Sequence, residues 1–164
     1  MKPTILLLTI AALLSGCATS VTSPEQVTRN TRSTFDAYTQ TETIDGMVVD
    51  QGGFPNITRA KLVATRDSAG TQYFLHVHHW SQTGWKFLEN AADINGNRLE
   101  AFRLDTDVTY TGNVEETLSI PLTLEYLQER TLDGLNVKLW GQRGEVVVEL
   151  PSPYVVGFLE KVGI

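Results

Sequence analysis

The chain has 164 residues, of which 41% are apolar and 20% charged, with a formal net charge of −6. This balance is typical of a globular protein and excludes a chain that is disordered throughout. The basic residues form no cluster, and a surface this acidic argues against a partner with a phosphate backbone, so no nucleic acid is expected as a ligand.

The first 16 residues have the features of a secretion signal. Lys2 supplies a positive start, and an apolar run follows from Ile5 to Leu14, interrupted only by Thr9. A run of about ten residues is too short to cross a bilayer, which takes roughly 20. The pattern therefore predicts a signal peptide over residues 1–16, and its removal leaves 12 basic and 19 acidic side chains, a net charge of −7.

The residues that end this signal are Leu14-Ser15-Gly16-Cys17, and Cys17 is the only cysteine of the chain. The motif resembles the lipobox of bacterial lipoproteins. The resemblance implies cleavage before Cys17, a diacylglycerol on its thiol and an acyl chain on its new amine. Ala18, where an inner-membrane retention signal has aspartate, favours the outer membrane on its periplasmic side if the source is Gram-negative. The alternative is an ordinary signal that is cut at another bond.

The segment after Cys17 is rich in threonine and serine up to about Ser33, contains Pro24 and shows no hydrophobic period. Such a composition predicts a flexible tether. We therefore expect the lipidated Cys17 and a tether over residues 17–33, followed by a single globular domain over residues 34–164.

Alternating apolar residues dominate this domain and predict antiparallel strands. The clearest hairpin joins Leu135–Trp140 to Glu145–Leu150, with Leu139 opposite Val146, Val137 opposite Val148 and Leu135 opposite Leu150. A second hairpin is predicted between Gln72–Trp80 and Trp85–Ala91. Further strands are expected near Tyr38–Ile44, Ile57–Thr65, Arg98–Leu104, Val108–Tyr110 and Val114–Ile120.

Two short helices are expected near the C-terminus. Pro121–Thr131 has proline in the first turn and Gly134 beyond its end, and Ser152-Pro153 has the features of an N-cap and first helical residue. Apolar residues then recur at helical spacing up to Val162, and Gly163 closes the helix. The fold class is mainly β, at the margin of α+β: an antiparallel, sandwich-like arrangement of hairpins with two short helices.

All three histidines lie in His76-Val77-His78-His79. On a strand His76 and His78 share a face, and in the second hairpin His76 would lie opposite Glu89. Two imidazoles and a carboxylate form a ligand set for zinc or another divalent ion. The alternative is an ordinary cross-strand charged pair with no ligand.

The three tryptophans are candidates for a binding surface. Trp80 and Trp85 flank the turn of the second predicted hairpin, and Trp140 falls on the polar face of its strand. Each indole can pack within the fold, or it can contribute to an exposed patch that contacts a partner.

Familiar catalytic signatures are missing from the sequence, so an enzyme is not favoured and no catalytic residue is assigned.

Two segments, Trp-Lys-Phe-Leu-Glu-Asn at 85–90 and Pro-Ser-Pro-Tyr-Val-Val-Gly-Phe-Leu at 151–159, resemble segments of small uncharacterised lipoproteins of Gram-negative bacteria. We expect a non-catalytic envelope protein that is held to the membrane by its lipid and binds an envelope protein or component. No cofactor is expected beyond the acyl chains. The alternative is a lipoprotein that binds a metal or small ligand through His76, His78 and Glu89.

Overall fold

A computed structural model describes residues 20–164 and is mainly β, as the sequence predicts. In chain order the elements are α1 Pro24–Asn30, β1 Arg32–Asp36, β2 Thr41–Asp45, β3 Val49–Gly53, β4 Asn56–Asp67, β5 Gly70–Ser81, β6 Leu88–Asp93, β7 Arg98–Leu99, β8 Phe102–Val108, β9 Val114–Leu122, α2 Leu124–Glu129, β10 Leu135–Gly141, β11 Gly144–Leu150 and α3 Ser152–Val162.

The strands form two antiparallel sheets. The large, seven-stranded sheet has the order β1-β2-β4-β5-β9-β8, with β3 pairing with a further part of β4. The small sheet has the order β11-β10-β6-β7. One hydrophobic core contains residues from both sheets, so the two sheets enclose it together.

Alternation along the central strands assigns one face of the large sheet to this core. Leu62 of β4, Leu75 of β5 and Ile120 of β9 are fully buried on that inner face. Burial of each such side chain contributes about 1.5–3 kcal/mol. Helix α3 packs there through Tyr154, whose hydroxyl donates to Met47 O at 2.6 Å and accepts from Leu62 N at 3.1 Å.

The hairpin of β10 and β11 has the predicted register, with Leu135, Val137 and Leu139 opposite their expected partners. Its apolar face belongs to the core.

The second predicted hairpin is wrong. Strand β5 pairs with β4 on one side and β9 on the other, so neither of its edges is free for β6. The chain instead crosses through residues 82–87 to the small sheet, where β6 pairs with β10 and β7.

The predicted flexible tether is wrong for the second half of its range, because α1 and the start of β1 lie inside residues 17–33. Ser23 caps α1 by accepting from Gln26 N at 3.3 Å, and Pro24 occupies its first turn. The helix packs on α3, where Thr28 Oγ1 donates to Gly157 O at 2.9 Å. The folded domain therefore begins before residue 34.

Both predicted C-terminal helices form, with shifted starts. Pro121 continues β9, and α2 begins after Thr123, whose side chain accepts from Tyr126 N. Helix α3 has Pro151 rather than Ser152 at its N-cap, and it ends at Gly163 in the left-handed conformation, as expected. Within residues 20–164, the helices are all too short or too polar to cross a bilayer.

Candidate functional site

The outer face of the large sheet, which lies opposite the core, carries the two histidines singled out above. His76 and His78 are half-buried there, whereas Val77 and His79 point to the inner face and are buried. Helix α3 packs on the inner face, so it does not cover His76 and His78.

The structure does not bring Glu89 to these histidines. Glu89 is exposed on β6 in the small sheet, whereas His76 lies opposite Lys61 of β4 and Ser119 of β9. The ligand set of His76, His78 and Glu89 depended on a β5–β6 hairpin, and that hairpin does not form.

A different carboxylate reaches His78. Its Nε2 lies 3.0 Å from Glu115 Oε2, and Glu115 extends from the neighbouring strand β9. His76 instead lies against Phe74, with ring centroids 6.1 Å apart and planes inclined by 46°. Burial, aided by the positive charge of Lys61, lowers the pKa of His76, so its imidazole is neutral at pH 7.

A concavity of about 310 Å³ lies beside these histidines. Val48, whose side chain is 44% exposed, contributes to its apolar lining, and Arg59 and Lys61 also border it. Each of these cations already has a carboxylate partner, Asp50 at 2.9 Å and Asp45 at 2.5 Å respectively. The concavity therefore offers a neutral imidazole beside an apolar surface. Among residues 20–164, no three His, Cys, Asp or Glu side chains are grouped to hold a metal ion.

The three tryptophans lie on different parts of the fold. Trp80 is on the outer face of β5, opposite Ile57 and Glu115. Trp85 lies in the crossover loop and stacks on Phe87 with centroids 6.1 Å apart. Trp140 borders a depression beside Lys138 and Glu145 of the β10–β11 hairpin. Trp80 and Trp85 do not flank a common hairpin turn, because the chain crosses between the sheets after β5.

Sequence reasoning missed a buried polar pair on the inner face, His79 and Glu116, which lie opposite one another on β5 and β9. His79 Nδ1 lies 2.9 Å from Thr58 Oγ1, and its Nε2 has no partner within the described chain. Glu116 accepts from Lys86 N and from Leu88 N, both at 2.9 Å, and so fixes the crossover loop. Glu116, Leu118 and Ile120 fall at every second position of their strand and therefore share a face. This spacing was the signal that Glu116 is buried.

Folding stability should fall in acid because of His79. Burial lowers its pKa from 6.5 to about 4, so between these values the unfolded chain binds a proton that the folded chain excludes. The loss begins as the pH drops below 6.5 and reaches about 3 kcal/mol near pH 4. Urea unfolding at several pH values from 7 to 4 gives the slope of the unfolding free energy against pH. The variant His79→Gln should lose this slope. An unchanged slope in that variant would refute the assignment to His79.

Replacing Glu116 with glutamine should destabilise the domain by about 2 kcal/mol. The glutamine amide keeps one acceptor oxygen, but it has an NH2 donor in place of the second oxygen and so cannot accept both backbone hydrogen bonds. Chemical denaturation measures the loss. Glu115→Gln on the same strand is the matched control, because Glu115 is half-exposed and, among residues 20–164, its side chain bonds only His78. Equal stability of the two variants would show that Glu116 does not hold the loop.

Cys17, the expected lipidation site, lies outside the described residues. In comparisons with known proteins, no family model, no curated protein and no solved structure matched the chain.

Proposed function

We propose that the protein is an exported lipoprotein of the bacterial envelope with a non-catalytic binding or structural role. Its anchor is a diacylglycerol and an N-acyl chain on Cys17, which hold it on the periplasmic side of the outer membrane if the source is Gram-negative. The observation that carries the proposal is Leu14-Ser15-Gly16-Cys17 at the end of a ten-residue apolar run whose last residue is Leu14, with the only sulfhydryl of the chain at the acceptor position. Two or more acyl chains make anchoring stable.

The folded domain supports a role at a surface. Phe74 and Trp80 are both partly exposed on the outer face of β5, two residues before His76 and two residues after His78. Aromatic side chains at the surface provide contact area for a partner at low entropic cost. An envelope protein or another envelope component is the partner that this location implies.

The anchor is tested by fractionating cells that produce the full chain. Wild-type protein should stay in the membrane fraction through a high-salt wash and leave it only in detergent. Cys17→Ser should move to the soluble fraction or accumulate with its signal uncut, whereas Ser20→Ala, three residues away, should behave as wild type. A mature Cys17→Ser protein that stays in the salt-washed membrane would refute the proposal.

A second candidate is the binding of a divalent metal or small ligand at the concavity, favoured by the neutral imidazole of His76 beside His78. Calorimetric titration of zinc into the detergent-solubilised protein tests it. Saturable binding should disappear in His76→Ala and persist in Glu89→Gln, because Glu89 lies in the other sheet. Absence of saturable binding to the wild-type protein would exclude zinc at this concavity.

A further inference from the structure

One end of the large sheet is a row of strand ends that carries two hairpin turns and the crossover loop. Five neighbouring strands each contribute one residue to this row, and each residue is paired with the next. In order across the sheet they are Gly53, Asn56, Ser81, Val114 and Val108. Neighbouring strands are about 4.8 Å apart, so the row is roughly 19 Å long.

Two turns project beyond this row, and both carry an aromatic side chain in solvent. Phe54, between β3 and β4, is 79% exposed, and Tyr110, between β8 and β9, is fully exposed. Val108, at the end of β8, is 54% exposed. We call these three residues the aromatic rim.

The turns that carry the rim are held by hydrogen bonds. Gln82 N donates to Pro55 O at 3.1 Å, which ties the first turn to the crossover loop. In the second turn Thr109 N donates to Asn113 O and Gly112 N donates to Thr109 O, both at 2.8 Å. These hydrogen bonds therefore hold the backbone of the turns from which Phe54 and Tyr110 project.

The chain enters the domain at a groove that reaches the rim end of β3. Val21 packs against the core and lines the same groove as Gly52, which precedes Phe54 by two residues, about 7 Å along a strand. Only four peptide steps separate Val21 from Cys17, a reach of at most about 14 Å. If Cys17 is acylated, Val21 must lie within that distance of the lipid surface, and the groove that Val21 lines extends to within two residues of Phe54.

We propose that the aromatic rim inserts into the interfacial layer of the leaflet that holds the lipid anchor and forms a second membrane contact. This inference rests on the proposed lipidation of Cys17. Aromatic rings favour the headgroup region, where an apolar face is buried and a hydroxyl such as that of Tyr110 stays hydrated. Asp107 lies beside the rim on β8 and the chain is acidic overall, so the contact requires a leaflet with few anionic lipids.

The test uses the full lipidated protein in phosphatidylcholine vesicles, with or without bromine on the acyl chains. Phe54→Trp and Tyr110→Trp place a fluorophore on the rim, and the emission of the wild-type tryptophans is subtracted. Tyr38→Trp is the matched control, because Tyr38 is fully exposed on the β1–β2 turn at the opposite end of the same sheet.

The added emission of both rim variants should shift to shorter wavelength and be quenched by brominated lipid, whereas that of Tyr38→Trp should not. The rim proposal is overturned if protein that sediments with the vesicles shows no more quenching at 54 and 110 than at 38. That result would indicate a rim that faces water or a protein partner, with the anchor intact. Protein that fails to sediment with the vesicles would overturn the anchor itself and the rim proposal with it.

Discussion

Replacing Gly141 with alanine should lower the free energy of unfolding by at least about 3 kcal/mol, the upper range for overpacking. Gly141 lies at the end of β10, where the crossover loop passes against it. A Cβ there would lie 1.9 Å from Phe87 O and 2.5 Å from Lys86 O. Both are backbone atoms in a loop whose adjacent amides are held by Glu116, so the loop cannot move without breaking those bonds.

Urea or thermal denaturation measures this loss. Gly53→Ala is the matched control, because Gly53 also ends a strand, and a Cβ there meets no atom within 4 Å. We expect the control to stay within about 0.5 kcal/mol of wild type. A Gly141→Ala protein as stable as the control would mean that the loop does not pass where the structure places it.

Replacing Gly157 with alanine should detach α1 from α3 and destabilise the domain by about 2–3 kcal/mol. A Cβ at Gly157 would lie 2.3 Å from Pro24 O, because the two helices touch backbone to backbone there. Release of α1 would also uncover Val27, the buried side chain of that helix. The residues up to Asn30 would then behave as the long tether that the composition alone suggests.

Limited trypsin digestion detects this release directly. Cleavage after Arg29 and Arg32 should become much faster in Gly157→Ala, whereas Lys161→Ala, an exposed change in the same helix, should digest as wild type apart from the site removed. Unchanged cleavage at Arg29 together with unchanged stability would contradict the close contact between α1 and α3.

The parts of the fold that the sequence predicts correctly are those fixed by local rules. In the β10–β11 hairpin, alternation and a short turn together determine the register, so Leu135 to Leu150 could be paired from sequence alone. The path after β5 depends on distant residues instead, since Glu116 and Gly141 fix the crossover loop. Helix α1 was missed because its seven residues bury only Val27, and its stability depends on packing against α3 rather than on its own pattern.

The same distinction applies to the candidate site. Strand alternation was enough to give His76 and His78 a common face. Their carboxylate neighbour depended on which strand lies beside β5, and that strand is β9, which brings Glu115 to His78 over a separation of 37 residues. Local pattern carries no information about such a pairing.

The proposed lipid anchor is tested most directly by mass spectrometry of the N-terminal peptide of the mature protein. The peptide should begin at Cys17 and carry the mass of a diacylglycerol on its sulfur, together with an acyl chain on its amine. A mature N-terminus at another residue, or a free thiol at Cys17, would contradict the proposed function.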